Sequence, residues 1–64
     1  MPRKLRELIT ALERAGFVNR GGKGSHRNYI HPGGVRVTLS GPAGADARHY
    51  QEKEIRQKIL LSRP

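Results

Sequence analysis

The sequence predicts an α+β fold, a two-layer sandwich of α-β-β-β-α order with both helices on one face of a three-stranded antiparallel sheet. Three observations predict it. Leu5, Leu8, Ile9, Leu12 and Ala15 recur at helical spacing and form one apolar stripe. Val35, Val37 and Leu39 alternate with Arg36, Thr38 and Ser40, the period-two pattern of a strand buried on one side. From about Tyr50 the pattern is helical again, with Ile55, Ile59 and Leu60 inward and Glu52, Lys53, Arg56 and Lys58 outward.

The stripe predicts a first helix over residues 3–15, and Arg3, Lys4, Arg6, Glu7, Glu13 and Arg14 fall largely on its other faces. Pro2 suits a first turn, where its missing N–H is no loss. Gly16 follows the periodic run, the place of a left-handed C′ residue. Phe17-Val18-Asn19-Arg20 is short and β-favouring, a candidate first strand. Gly21-Gly22-Lys23-Gly24-Ser25 then reads as a turn carrying a cation and a hydroxyl. Residues Arg27 to His31 return to β-like composition, and Pro32-Gly33-Gly34 predicts the tip of a hairpin leading into the alternating strand. Gly41-Pro42-Ala43-Gly44-Ala45-Asp46 fits neither a strand nor a helix and reads as an exposed connection. There is no repeat, and residues 1–64 form a single domain.

A 64-residue domain buries only ~60% of the surface its unfolded chain exposes, so its core is thin. No cysteine is present, which excludes disulfides and thiolate metal ligands. No segment approaches the ~20 apolar residues of a membrane span, and Met1-Pro2-Arg3-Lys4-Leu5 does not start an apolar signal run. A cytoplasmic protein without a membrane contact is expected. Thirteen Lys and Arg against five Asp and Glu give a formal charge of +8. A pI near 11.2 points to a polyanion as partner. The cations are spread along the chain rather than gathered in a tail, so a folded basic surface is expected over a disordered arm.

Most catalytic constellations fail on these residues. A cysteine nucleophile is absent, and Asp46 is the sole Asp that a serine triad could use. The spacings of His26, His31 and His49 match no common metal motif, so neither a metal nor another cofactor is expected. The Gly-rich segment looks like a phosphate-binding loop but lacks the Gly-x4-Gly-Lys-Ser/Thr spacing and opens onto a strand. Its N–H groups and Lys23 can still hold one phosphate of a nucleic-acid backbone.

Histidine with cations remains. RNA carries its own nucleophile, the 2′-hydroxyl, and an imidazole with a reference pKa near ~6.5 can take or give a proton at cellular pH. Nearby cations offset the charge growing on phosphorus. His26 follows the Lys-bearing loop and precedes Arg27, so this neighbourhood holds all three parts. From composition alone the favoured reading of His26 is a histidine that caps a turn or lies on the sheet surface without function. His31 beside Pro32 reads as a turn residue, and His49 as a residue flanking the second helix. Strand parity adds a difficulty: Tyr29 and Ile30 cannot both face inward, and His26 shares the parity of Ile30.

The run Lys23-Gly24-Ser25-His26-Arg27-Asn28-Tyr29, followed by Ile30-His31-Pro32-Gly33-Gly34 and Val35-Arg36-Val37-Thr38-Leu39, resembles the HicA family of toxin–antitoxin mRNA interferases. Ala15-Gly16-Phe17 is similar to the exit of that family's opening helix, and Tyr50-Gln51-Glu52-Lys53-Glu54-Ile55 to the start of its closing helix. The resemblance covers nearly the whole chain. It implies a fold like that of double-stranded-RNA-binding domains and a catalytic histidine, which falls on His26. It also implies cleavage of mRNA with inhibition of translation and growth, and neutralisation by a HicB antitoxin that covers the active site. On this reading the chain is a metal-independent endoribonuclease, monomeric when alone. His26 is its general acid or base, with Lys23, Gly24, Ser25, Arg27, Arg20 and Arg36 as RNA-binding residues. Two other readings fit the same residues: a module that grips duplex RNA by shape without cutting it, and a basic surface that meets an acidic protein.

Overall fold

The computed structural model describes residues 3–24 and 26–63. Helix α1 spans Leu5–Arg14, strand β1 Val18–Asn19, strand β2 His26–Ile30, strand β3 Arg36–Ser40 and helix α2 His49–Ser62. The three strands form one antiparallel sheet in the order β1-β2-β3, as the pattern predicts.

The core lies between that sheet and the helices. Leu5, Leu8 and Leu12 of α1 meet Tyr29, Val37 and Leu39 of the sheet and Ile55 of α2, with Phe17 and Ala47 closing the edges. Burying each such side chain contributes roughly 1.5–3 kcal/mol, the main source of stability in so small a domain.

Helix α1 is shorter than the predicted 3–15. Its N-cap is Lys4, whose N–H donates to the Glu7 carboxylate at 2.8 Å. Pro2 lies outside the described residues. The connection expected at residues 41–46 is more than an exposed link. Ala45 and Ala43 accept the N–H groups of Leu5 and Arg6, both at 2.9 Å, so the loop satisfies donors that the helix leaves open. Ala47 is buried in the process.

The other end of α1 closes as a Schellman motif. The Phe17 N–H donates to the Leu12 carbonyl at 3.0 Å and the Gly16 N–H to Glu13 at 3.1 Å. Gly16 takes φ +98°, a conformation that glycine enters without steric cost. Phe17 therefore turns straight into the core rather than starting a strand, and β1 shrinks to two residues.

The predicted hairpin forms with its tip at His31–Gly34. The Gly34 N–H donates to the His31 carbonyl and the His31 N–H to Val35, both at 2.8 Å. In α2 the inward expectation holds for Ile55 and Ile59 but not for Leu60, which is 57% exposed. Residues 59, 60 and 61 are all apolar, and a helix can turn only part of such a run inward. Among the described residues, no helix is long and apolar enough to cross a membrane.

Candidate functional site

Tyr29 decides which way β2 faces. Its ring is buried (1% exposed) while Ile30 is only half-buried, so the odd-numbered residues of β2 point to the helices. The even-numbered residues His26 and Asn28 therefore stand on the open face of the sheet. The parity difficulty vanishes because Tyr29, not Ile30, is the core residue, and no bulge is needed to turn His26 outward.

The β2–β3 register sets the neighbours. His26 pairs with Ser40, Asn28 with Thr38 and Ile30 with Arg36. His26 Nδ1 lies 2.8 Å from the Ser40 hydroxyl, and the Thr38 hydroxyl donates to Asn28 Oδ1 at 2.9 Å. A polar row thus crosses the sheet on its solvent side, with the imidazole at one end.

The loop before β2 is packed against the strand it feeds. The His26 N–H donates to the Lys23 carbonyl at 3.0 Å, and the Asn28 N–H and Nδ2 both donate to the Gly21 carbonyl. A Cβ on Gly22 would collide with the His26 carbonyl oxygen, so only glycine fits there. Lys23 and Gly24 are exposed beside the imidazole strand. Ser25 lies outside the described residues.

The remaining predicted cations divide. Arg20 donates its N–H to the Asn28 carbonyl at 2.7 Å, directly beside β2, and its side chain is exposed. Arg36 is exposed on the open face opposite Ile30. It stands four residues from Ser40, or about 14 Å along the strand. That is too far to touch the group His26 touches, but within reach of a neighbouring phosphate. Arg27 departs from expectation. It shares the parity of Tyr29, is half-buried, and its Nη1 donates to the Gly41 carbonyl at 2.8 Å. Its side chain faces away from the surface that bears His26.

The other histidines serve elsewhere. His31 Nδ1 accepts the Gly33 N–H at 3.0 Å, and its ring packs on Phe17 with centroids 5.2 Å apart. It fastens the hairpin tip to the exit of α1, the turn role that its place beside Pro32 predicts. His49 is the first residue of α2 and is exposed. Among the described residues, no three His, Asp or Glu side chains converge as metal ligands would. Burial pushes the Tyr29 phenol above its ordinary value, Glu13 adds to the rise, and Arg27 opposes it.

Ser40, Asn28 and Thr38 were absent from the residues that the sequence singled out. Their signal was the hairpin itself. A turn at His31–Gly34 pairs residues whose numbers sum to 66, which puts Ser40 opposite His26. Taken with the basic loop, the site is an open, polar strip, and its Arg36, Thr38 and Ser40 border a recess shared with Glu54 and Lys58 of α2.

Residues 5–61 match the family described as HicA toxin of bacterial toxin-antitoxin. The chain belongs to the HicA toxin family. It is accordingly the toxin of a bacterial toxin–antitoxin system, with an antitoxin as its counterpart. No curated protein matches this HicA chain. The resemblance drawn from the Lys23–Tyr29 run and the hairpin after it is thus borne out at the level of the family.

Proposed function

We propose that this HicA toxin is an endoribonuclease that cleaves mRNA, with His26 as its general acid–base group. The observation that carries the reading is the placement of His26 on the open sheet face, its imidazole hydrogen-bonded at one nitrogen and beside the exposed, Lys23-bearing loop. An RNA strand laid along that face brings its own nucleophile. His26 takes the proton of a 2′-hydroxyl, the 2′-oxygen attacks the adjacent phosphorus, and the bond to the 5′-oxygen breaks. The imidazolium formed in the first step returns a proton to that leaving oxygen, so the ring ends as it began.

Lys23 and the N–H groups of the Gly-rich loop hold the phosphate at the cut, and Arg20 and Arg36 hold phosphates further along the strand. Arg27 shapes the loop at Gly41 instead of binding RNA. The chemistry proposed needs no metal or cofactor. The antitoxin counterpart is a HicB-type protein that silences the toxin by covering this strip. The toxin works in the cytoplasm, where mRNA is.

Losing a general acid–base group costs about 10²–10⁴ in rate. His26→Ala should therefore stop cleavage of labelled RNA and relieve growth inhibition, while a band-shift assay still shows RNA bound. A His26→Ala protein that cuts at the parent's rate would overturn the assignment. An intact strand under a shifted band with the parent protein would instead favour a binding module without catalysis.

A further inference from the structure

We propose that Ser40 is a positioning residue for His26, and that Gln51 of α2 holds Ser40 in place. The inference rests on the ribonuclease reading above and deepens it.

Two contacts on opposite sides of one residue carry it. On the open face, the Ser40 hydroxyl meets His26 Nδ1 at 2.8 Å. At its backbone, Ser40 offers its carbonyl to Gln51 Nε2 at 3.0 Å. Gln51 is the sole buried polar residue among the described ones, 7% exposed. Both ends of its amide are engaged, because Oε1 accepts the Arg48 N–H at 2.8 Å. A buried amide normally needs partners at both ends, so its choice of partners is informative. Here they are the N-cap of α2 and the backbone carbonyl of Ser40, the histidine's own partner. Ser40 lies at the end of β3, where a strand frays most readily, and Gln51 is what ties that end to the helical layer.

The hydroxyl can then hold the working form of the ring, since it accepts from a protonated Nδ1 and donates to a bare one. A neutral imidazole carries its proton on one nitrogen or the other. When Ser40 Oγ accepts from Nδ1–H, the Nε2 lone pair is left outward and free to take a proton from the RNA 2′-hydroxyl. After that transfer the imidazolium still has its Nδ1–H on Ser40, so the same contact serves both protonation states. A serine suits this role because its hydroxyl can accept without carrying a charge that would repel phosphate.

The test compares purified parent, Ser40→Ala, Ser40→Thr and His26→Ala full-length chains on one RNA, alongside ring-nitrogen NMR of the histidine. Ser40→Ala should cut about tenfold more slowly, the scale of one lost hydrogen bond. Its KM should not change, and its folded spectrum should match the parent's. Its His26 signal should move away from the Nδ1–H form, and Ser40→Thr should restore both rate and signal. Parental cleavage by Ser40→Ala, or an unmoved His26 signal, would overturn the positioning role. If His26→Ala itself cuts normally, the ribonuclease reading fails, which is a separate result.

Discussion

Gly22 and Tyr29 show how single residues set the site without touching a substrate. Gly22 lets the basic loop lie against the His26 carbonyl, a contact closed to any residue with a Cβ. Gly22→Ala should push the loop off β2 and lower RNA cleavage at least as far as losing Lys23 would, with helix content unchanged by circular dichroism. Tyr29 fixes the outward parity of His26 through burial of its ring. Its phenol is raised in the folded state, whereas the unfolded chain keeps the ordinary value of 10.0. The stabilisation is therefore complete below pH 10 and is lost as pH rises above it, because the unfolded phenol ionises first. Thermal melts through the alkaline range should show this fall in the parent and a smaller one in Tyr29→Phe. A residue's neighbours were the least legible level in the sequence. Tyr29 and Ile30 are both apolar and β-favouring, so composition could not tell which one faced the core. Arg27 looked like a phosphate ligand because it follows His26, yet adjacent strand residues point to opposite faces.

At the scale of elements, periodicity and punctuation were enough to find α1, the hairpin and the start of α2. Each rests on a pattern that one packing arrangement satisfies. The boundaries needed more. Helix α1 stops at a Schellman motif that also steers Phe17 inward, so β1 keeps only Val18–Asn19 of the four residues expected. The tail of α2 has more apolar residues than the core has room for, and Leu60 and Leu61 stay exposed. The joint at Gly16 is the one where a substitution is most telling. Gly16→Ala forces a side chain into φ +98°, and its Cβ would stand 3.4 Å from His31 Nε2. A loss of about 1 kcal/mol is expected from the backbone alone. In a domain of this size that corresponds to a melting temperature lower by roughly 4–8 °C. Calorimetry reads it directly, and a variant as stable as the parent would remove the structural role given to the motif.

Over the whole molecule, charge and shape divide the labour. A net +8 on 64 residues supplies long-range attraction to a polyanion, but attraction alone specifies no reaction. RNA affinity should fall linearly on a double-logarithmic salt plot, and removing a phosphate-binding cation should flatten the slope by about 0.7 for a single strand. Lys23→Ala and Arg36→Ala should each do so when binding is titrated across salt, whereas Lys4→Ala should not. Lys4 lies in an exposed ion pair with Asp46, 2.6 Å apart, a contact worth only ~0–1 kcal/mol.

Strand β2 is the middle strand of the sheet, but β1 pairs only with its Tyr29 and Ile30, so His26, its first residue, is paired with Ser40 of β3 alone. Central strands are usually the slowest part of a domain to exchange their amide hydrogens, since they open only when the whole domain does. His26 sits at the end of such a strand, so its aim lasts only as long as its one pair with Ser40 holds. Fraying of that pair would turn the ring away without unfolding the domain, so control passes to whatever holds this end of the sheet or lies over it.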